Sequence, residues 1–459
     1  MKQWFQIYAY FLGYILHIDV LDGGSKGGER LISGVDSITD FVLGNEKISS
    51  KNSTYIIPFF EKLKKNFGDP LRIIQDMGKG IMKAAETVFP GVEILVCHFH
   101  FLRDIGKDLL EVQYDIIRKR LRHFGFLVQL RNLAKSLIVL CNDANDINSF
   151  YEAVICTQST AMHNQTETAM LLYTLIEWIL DWKSESNGYG FPFDRPHLDL
   201  ALRVKKVLEV LKKIEKINNF QTGKISIVQK VFKRLNIILN EVADDKKLND
   251  AVTETEQDIQ IFELFRNAMR VASKNGKNGL NDEGNDSIKS IEVSVGEFVD
   301  ELEVNKLFCE SKKGTAFTKQ IYKYWDKLFA DPVKVNTTTG VKTIQPQRTN
   351  NIMEQMFRDF SRNNKRKTGN SSVGRTIRTM IKDTPLIRNL KNKDYRALIL
   401  ENKQNLAEVF AEIDPTVIRN KMKEHGIYNE KIPKKIKQLL KEDNILDMLS
   451  NIDDNNESF

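Results

Sequence analysis

Cysteine is scarce. Cys97, Cys141, Cys156 and Cys309 are scattered over 459 residues, too thinly for a disulfide framework, so a reducing, intracellular setting is expected. The absence of any Cys-x-x-Cys pair argues against a zinc finger built on paired thiolates. No apolar stretch reaches the roughly 20 residues needed to span a bilayer. The apolar run from Trp4 to Ile18 follows a lysine, but it lacks a small-residue cleavage site and leads straight into Asp19, so neither secretion nor a membrane anchor is expected. No repeat of roughly 20 to 50 residues is visible, which argues against a solenoid. A large excess of one charge is also missing: 68 Lys plus Arg stand against 61 Asp plus Glu, a net charge of +7. That balance alone does not separate a nucleic-acid binder from an ordinary basic enzyme.

What is present is a folded, multi-unit composition, with 41% hydrophobic and 28% charged residues. Short apolar runs at Tyr14–Ile18, Arg30–Val35 and Thr39–Leu43, broken by glycine and polar clusters, read as strands. Ile56–Phe67 carries apolar residues at helical spacing and stops at Gly68-Asp69-Pro70. Leu71–Gln75 and Val92–Cys97 suit buried parallel strands, with a helix over Ile81–Val88 between them. Strands followed by alternating helix and strand predict a mixed α/β sheet. Beyond His100 the period becomes 3.6, predicting an all-helical block that contains a turn-rich loop at Asn187–Pro196 and a polar linker at Asn275–Asp286. A further helix is expected over Asn351–Asn363, then an amphipathic helical tail from Asp394.

Three acids stand out by position. Asp19 and Asp76 are each expected at the C-terminal end of a strand, where open α/β sheets collect ligands and catalytic groups, although aspartate there also serves as a turn former or helix cap. Glu354 is expected in the first turn of a helix, where Asn351 three residues earlier also reads as a capping box. Cys97 and His100, just past a strand, are too few for a structural zinc site and read on their own as core groups. The basic charge is concentrated. Residues 342–393 hold 13 Lys plus Arg and 3 Asp plus Glu, a local +10, so the rest of the chain is slightly acidic at −3. This segment is expected to neutralise phosphates.

Two stretches, DMGKGIMKAAETVFPGVEILVCHFHFLRDIGKDLL at 76–110 and RTNNIMEQMFRDFSRNNKRKTG at 348–369, resemble the catalytic region of Mutator-like transposases and related bacterial insertion-sequence transposases. The resemblance covers roughly Gly13–Leu110 and Arg348–Gly369. It implies an RNase H-like core over residues 1–105, an all-helical insertion over 106–340 with a disordered linker near 274–290, a final core helix with a basic segment over 341–393, and a helical tail over 394–459. It implies an acidic triad of Asp19, Asp76 and Glu354 holding two Mg²⁺ ions, with Mn²⁺ able to substitute, and a Cys-x-x-His signature at Cys97 and His100. Arg348, Arg358, Arg362, Lys365, Arg366, Lys367, Arg375 and Arg378 are then the expected contacts to double-stranded DNA, both the terminal inverted repeats and the target. A homo-oligomer on DNA is implied, with no organic cofactor and a cytoplasmic or nucleoid-associated location.

The sequence departs from that family where Val20, Leu21, Asp22 and a glycine-rich GGSKGG follow the first aspartate in place of a small Gly-Thr pair. This leaves open a shift of register to Asp22 and a degenerate, non-cleaving DNA-binding descendant. Another RNase H-like nuclease is the remaining alternative. The chain starts almost on its first strand, so it reads as a catalytic core taken from a longer element.

Overall fold

A computed structural model describes residues 13–24, 28–141, 144–155, 165–184, 186–217, 226–272, 287–337, 340–424, 434–439, 441–442 and 445. The chain divides into two units, one formed by Met1–Cys97 with Asp331–Phe459 and the other by His98–Ala330.

The first unit is built on the mixed α/β sheet expected from the sequence. Its strands are β1 (Ile15–Asp22), β2 (Arg30–Asp36), β3 (Phe41–Ile48), β4 (Arg72–Gln75) and β5 (Ile94–Val96), in the order β3-β2-β1-β4-β5. The β1-β2 and β2-β3 pairs are antiparallel, whereas β1-β4 and β4-β5 are parallel. β1 is therefore central, and its run ILHIDV is buried or half-buried throughout. A hairpin of β6 (Val333–Thr337) and β7 (Gly340–Ile344), which apolar periodicity did not reveal, forms a second small sheet.

Two helices, α1 (Ser53–Phe67) and α2 (Lys79–Val88), cover one face of the large sheet. Successive strand residues point to opposite faces, so Leu16, Ile18 and Val20 of β1 share this side, where they form one core with Ile56, Phe59, Phe60 and Ala84. Each fully buried Phe there contributes about 2 to 3 kcal/mol of hydrophobic stabilisation. Gly68, at φ 77°, ends α1 and donates to the Lys64 carbonyl, the C-cap its position foretold. The opposite face is covered by α3 (Asn351–Thr368), whose Met353, Met356 and Phe357 pack on Val35 and Val42. The sheet is thus layered between helices. At the turn after β2, Asp36 accepts from the backbone N–H groups of Ile15, Ile38 and Thr39, tying the β2-β3 turn to the start of β1.

β1 runs three residues beyond Asp19, because its ladder with β2 continues to Asp22 opposite Arg30. The first aspartate therefore sits inside a strand and not at its end, a correction to the sequence reading. The parallel strands are shorter than expected.

The second unit is helical. Its helices include His98–Phe124, Phe126–Ile138, Gln165–Leu180, Pro196–Ile217, Ile227–Ala243 and Lys246–Met269, around a core containing Leu130, Ile176, Leu211 and Leu239. Asn187–Pro196 is the expected turn-rich segment, stapled by Asp194, which accepts from the N–H groups of Asn187 and Gly190. The linker expected at Asn275–Asp286 lies outside the described residues. Its proposed extension to 290 is corrected, since Ser287 caps a helix that begins at Ile288. The tail holds helices at Lys393–Leu400, Leu406–Ala411, Pro415–Glu424 and Lys434–Leu439, and the acidic end IDDNNESF is outside the described residues. Among the described residues no helix is long and apolar enough to cross a membrane.

Candidate active site

The α3 face of the sheet carries a polar row. Asn45 on β3 pairs in register with Ser33 on β2, and Ser33 pairs with Asp19 on β1. Ile18 pairs with Gln75 across β1 and β4, so Asp76, the next residue, leaves β4 beside Asp19. Neighbouring strands lie about 4.8 Å apart and residues at one level point the same way, so both aspartates belong to this face. Ser33 and Asn45 are fully buried and joined by a 2.7 Å bond from Ser33 Oγ to Asn45 Oδ1. Asp19 Oδ1 accepts from the N–H of Val20 at 2.6 Å.

Asn350, one helical turn before Glu354, ties the start of α3 to this row. The expected capping box at Asn351 is not formed: the N-cap is Asn350, and its side chain makes no capping bond. Its amide is used over long range instead. Nδ2 donates to the Ile18 carbonyl at 3.0 Å and to Asp76 Oδ1 at 3.1 Å, while Oδ1 accepts from His17 Nδ1 at 3.0 Å. The backbone N–H of Asn350 donates to Cys97 Sγ at 3.3 Å. One asparagine thus joins β1, the end of β4 and the residue after β5 to the start of α3. Glu354 stands one helical turn on, its N–H bonded to the Asn350 carbonyl at 3.2 Å. With both Nδ2 hydrogens committed, Asn350 Oδ1 requires the hydrogen on His17 Nδ1. Burial holds the His17 ring neutral, lowering its pKa to about 4.

Asp19, Asp76 and Glu354 are all half-buried. Among the described residues their carboxylates do not all come within 4.8 Å of one another. Asp22 is placed differently. It is two-fifths or more exposed, lies on alternate parity to Asp19, and pairs with Arg30 and Lys51. The bulk of Val20 is also directed away, into the core under α1 and α2.

Cys97 is fully buried, and its Sγ lies within 4.8 Å of an Asp76 carboxylate oxygen. His100 belongs to the other unit, in the first turn of the helix His98–Phe124. There the neighbouring His98 bonds the Leu328 carbonyl through Nε2 at 2.7 Å.

The basic residues form a surface. On α3, Arg358, Arg362, Lys365 and Arg366 recur at i, i+4, i+7 and i+8, opposite the buried Met353, Met356 and Phe357, and all four are exposed. Lys367, in the last turn, is exposed too. Arg375 and Arg378 are exposed on the helix Gly374–Thr379, while half-buried Arg348 precedes α3. Asn364 fixes the turn between these helices by donating to the Asn370 and Ser372 carbonyls at 2.8 and 3.1 Å and accepting from Thr376. Gly23 and Gly374 meet so closely that a Cβ on either would come within 3 Å of the other's backbone. Part of the glycine-rich stretch after β1 therefore serves to seat the basic helix.

Ser33, Asn45, Asn350 and Asn364 went unnoticed in the sequence. The Asn-Asn pairs at 350–351 and 363–364 were a visible signal, but the partners of Asn350 lie hundreds of residues away, while Asn364 bonds within its own turn. No family model and no curated protein matches this chain.

Proposed function

We propose that the first unit is the catalytic core of a DDE-type DNA transposase resembling the Mutator-like family, with an RNase H-like fold. The observation that carries this reading is the placement of Asp19 and Asp76 side by side on the α3 face, bound through Asn350 to the helix that bears Glu354. The strand order β3-β2-β1-β4-β5, with three antiparallel strands followed by two parallel ones, supports the fold assignment.

The donor set fits Mg²⁺, which prefers carboxylate oxygens and retains several waters. One ion bound directly by all three acids at 2.0–2.1 Å would draw their oxygens to within about 4.2 Å, closer than is found. Two ions about 4 Å apart relax that demand. When bound, they would activate a water or 3′-hydroxyl and stabilise the leaving oxygen of a phosphodiester. The chain's own part is positional. Asn350 leaves one Asp76 oxygen outside its bond, neutral His17 holds the amide, and Cys97 secures the backbone of the helix start. The exposed cations of α3 hold the DNA backbone beside the acids, and DNA strand cleavage and transfer at element ends is the reaction they serve. The partners on this reading are double-stranded DNA and further copies of the chain.

The open spacing of the acids favours a second reading, a transposase-derived DNA-binding protein that no longer cuts. Nicking of supercoiled DNA in Mg²⁺ or Mn²⁺ separates the two. The wild type should nick, and Asp76→Asn should lower the rate at least about a hundredfold, about 2.7 kcal/mol of barrier. Full activity in Asp76→Asn overturns the assignment, and DNA binding without cleavage in any metal establishes the second reading.

A further inference from the structure

A cleft of about 400 Å³ lies along α3 beside the 3₁₀ helix Thr384–Lys391. Its lining divides by chemistry. Phe360 and Ile387 give it an apolar side, while Arg362, Arg366, Arg388 and Lys391 surround it against the single carboxylate of Asp359. Arg388 donates to Asp40 at 3.1 Å through one terminal nitrogen, yet its Nε is buried without a partner. At 3.6 residues per turn, Asp359 and Asn363 lie on the flank of α3 away from Glu354, so this cleft is separate from the acidic row.

We propose that the cleft receives one unpaired nucleotide of a DNA strand, its base against Phe360 and Ile387 and its phosphate among Arg362, Arg366 and Lys391. A duplex backbone needs only a cationic surface, and a small inorganic anion gains nothing from an apolar wall. An unstacked nucleotide brings both an apolar ring face and a charge, the pairing on which single-strand sites are built. The volume lies within the range of small-ligand pockets. A strand crossing the exposed face of α3, past Arg358 and Arg362, reaches both the Glu354 flank and the cleft. The inference rests on the DNA reading above and adds that the strand is held unpaired on this side.

The test measures fluorescence anisotropy of the full chain with a short labelled oligothymidylate and with an equally long duplex. Ile387 is 67% exposed, so Ile387→Asp leaves the core intact. This variant should bind oligothymidylate about tenfold more weakly, a loss within the range for one stacked base, and the duplex less than about twofold more weakly. Arg388→Gln should show the same bias. Equal losses on both probes, or unchanged oligothymidylate affinity, overturn the cleft. Nicking is scored separately. Asp76-dependent nicking with an unaffected Ile387→Asp removes the cleft and keeps the catalytic reading, whereas a sensitive Ile387→Asp with Asp76-independent nicking does the reverse.

Discussion

The two faces of the five-stranded sheet come from the same strands, yet they are opposites in chemistry. Under α1 and α2, β1 contributes Leu16, Ile18 and Val20 to an apolar core. Under α3 it contributes His17, Asp19 and Leu21, and Asp19 continues sideways into Ser33, Asn45 and Asp76. The first face is stabilised chiefly by burial. The second keeps polar groups in place through specific bonds, most of them converging on Asn350. A face built that way has given up hydrophobic stabilisation, which on the proposed reading is the cost of keeping the acids in place.

The largest expected effect falls on the polar face. Asn350→Ala leaves the Ile18 carbonyl, Asp76 and His17 without their amide partner, and should lower stability by about 3 kcal/mol in denaturant melts. A loss under about 1 kcal/mol would show that the network does not hold α3. Next is the surface of that helix. Changing Arg358, Arg362, Lys365 and Arg366 together to Gln should reduce the slope of log affinity for DNA against log salt by about 3 to 4. An unchanged slope would move the DNA surface elsewhere.

The apolar face also holds a buried amide that sharpens the contrast. Gln75 is fully buried, shares the level and side of Ile18, and neither of its amide atoms has a partner. Gln75→Met should therefore stabilise the first unit by about 1 kcal/mol, measured by chemical denaturation. Destabilisation would mean the amide is used after all.

The smallest expected effect lies in the second unit. Burial, helped by Arg122, Arg118 and Lys183, lowers the His197 pKa to about 4, while its ring meets Tyr114 Oη at 3.2 Å. The folded state binds this proton less readily than the unfolded state, whose value is near 6.5. Its contribution is complete above pH 6.5 and is lost as pH falls from 6.5 towards 4. His197→Gln should flatten the pH dependence of thermal stability over that interval, and an unaltered profile would place the titration on other groups.

Much of this sheet was legible because a buried strand must be apolar: the runs at β2, β4 and β5 announce themselves. β1 was cut short because Asp19 looks like a strand end, whereas the ladder with β2 carries the backbone through it to Asp22. The β6-β7 hairpin stayed hidden because β7 is almost wholly exposed and has no apolar side to betray it. At the site, the acids were visible as residue types in suggestive places. The row that aligns them was not, since register between strands sets it. Asn350 was overlooked for a similar reason. Local spacing offered a cap at Asn351, while the bonds that matter reach back to His17 and Asp76.

On the proposed reading Asp19, Asp76 and Glu354, carried on separate elements, act as one metal site. Isothermal titration of the full chain with Mn²⁺ tests it most directly. Asp19→Asn, Asp76→Asn and Glu354→Gln, each folded as judged by circular dichroism, should each weaken Mn²⁺ binding at least about tenfold, as loss of a metal-site group does. Wild-type affinity in Glu354→Gln would contradict the claim and leave α3 as a DNA-binding helix alone.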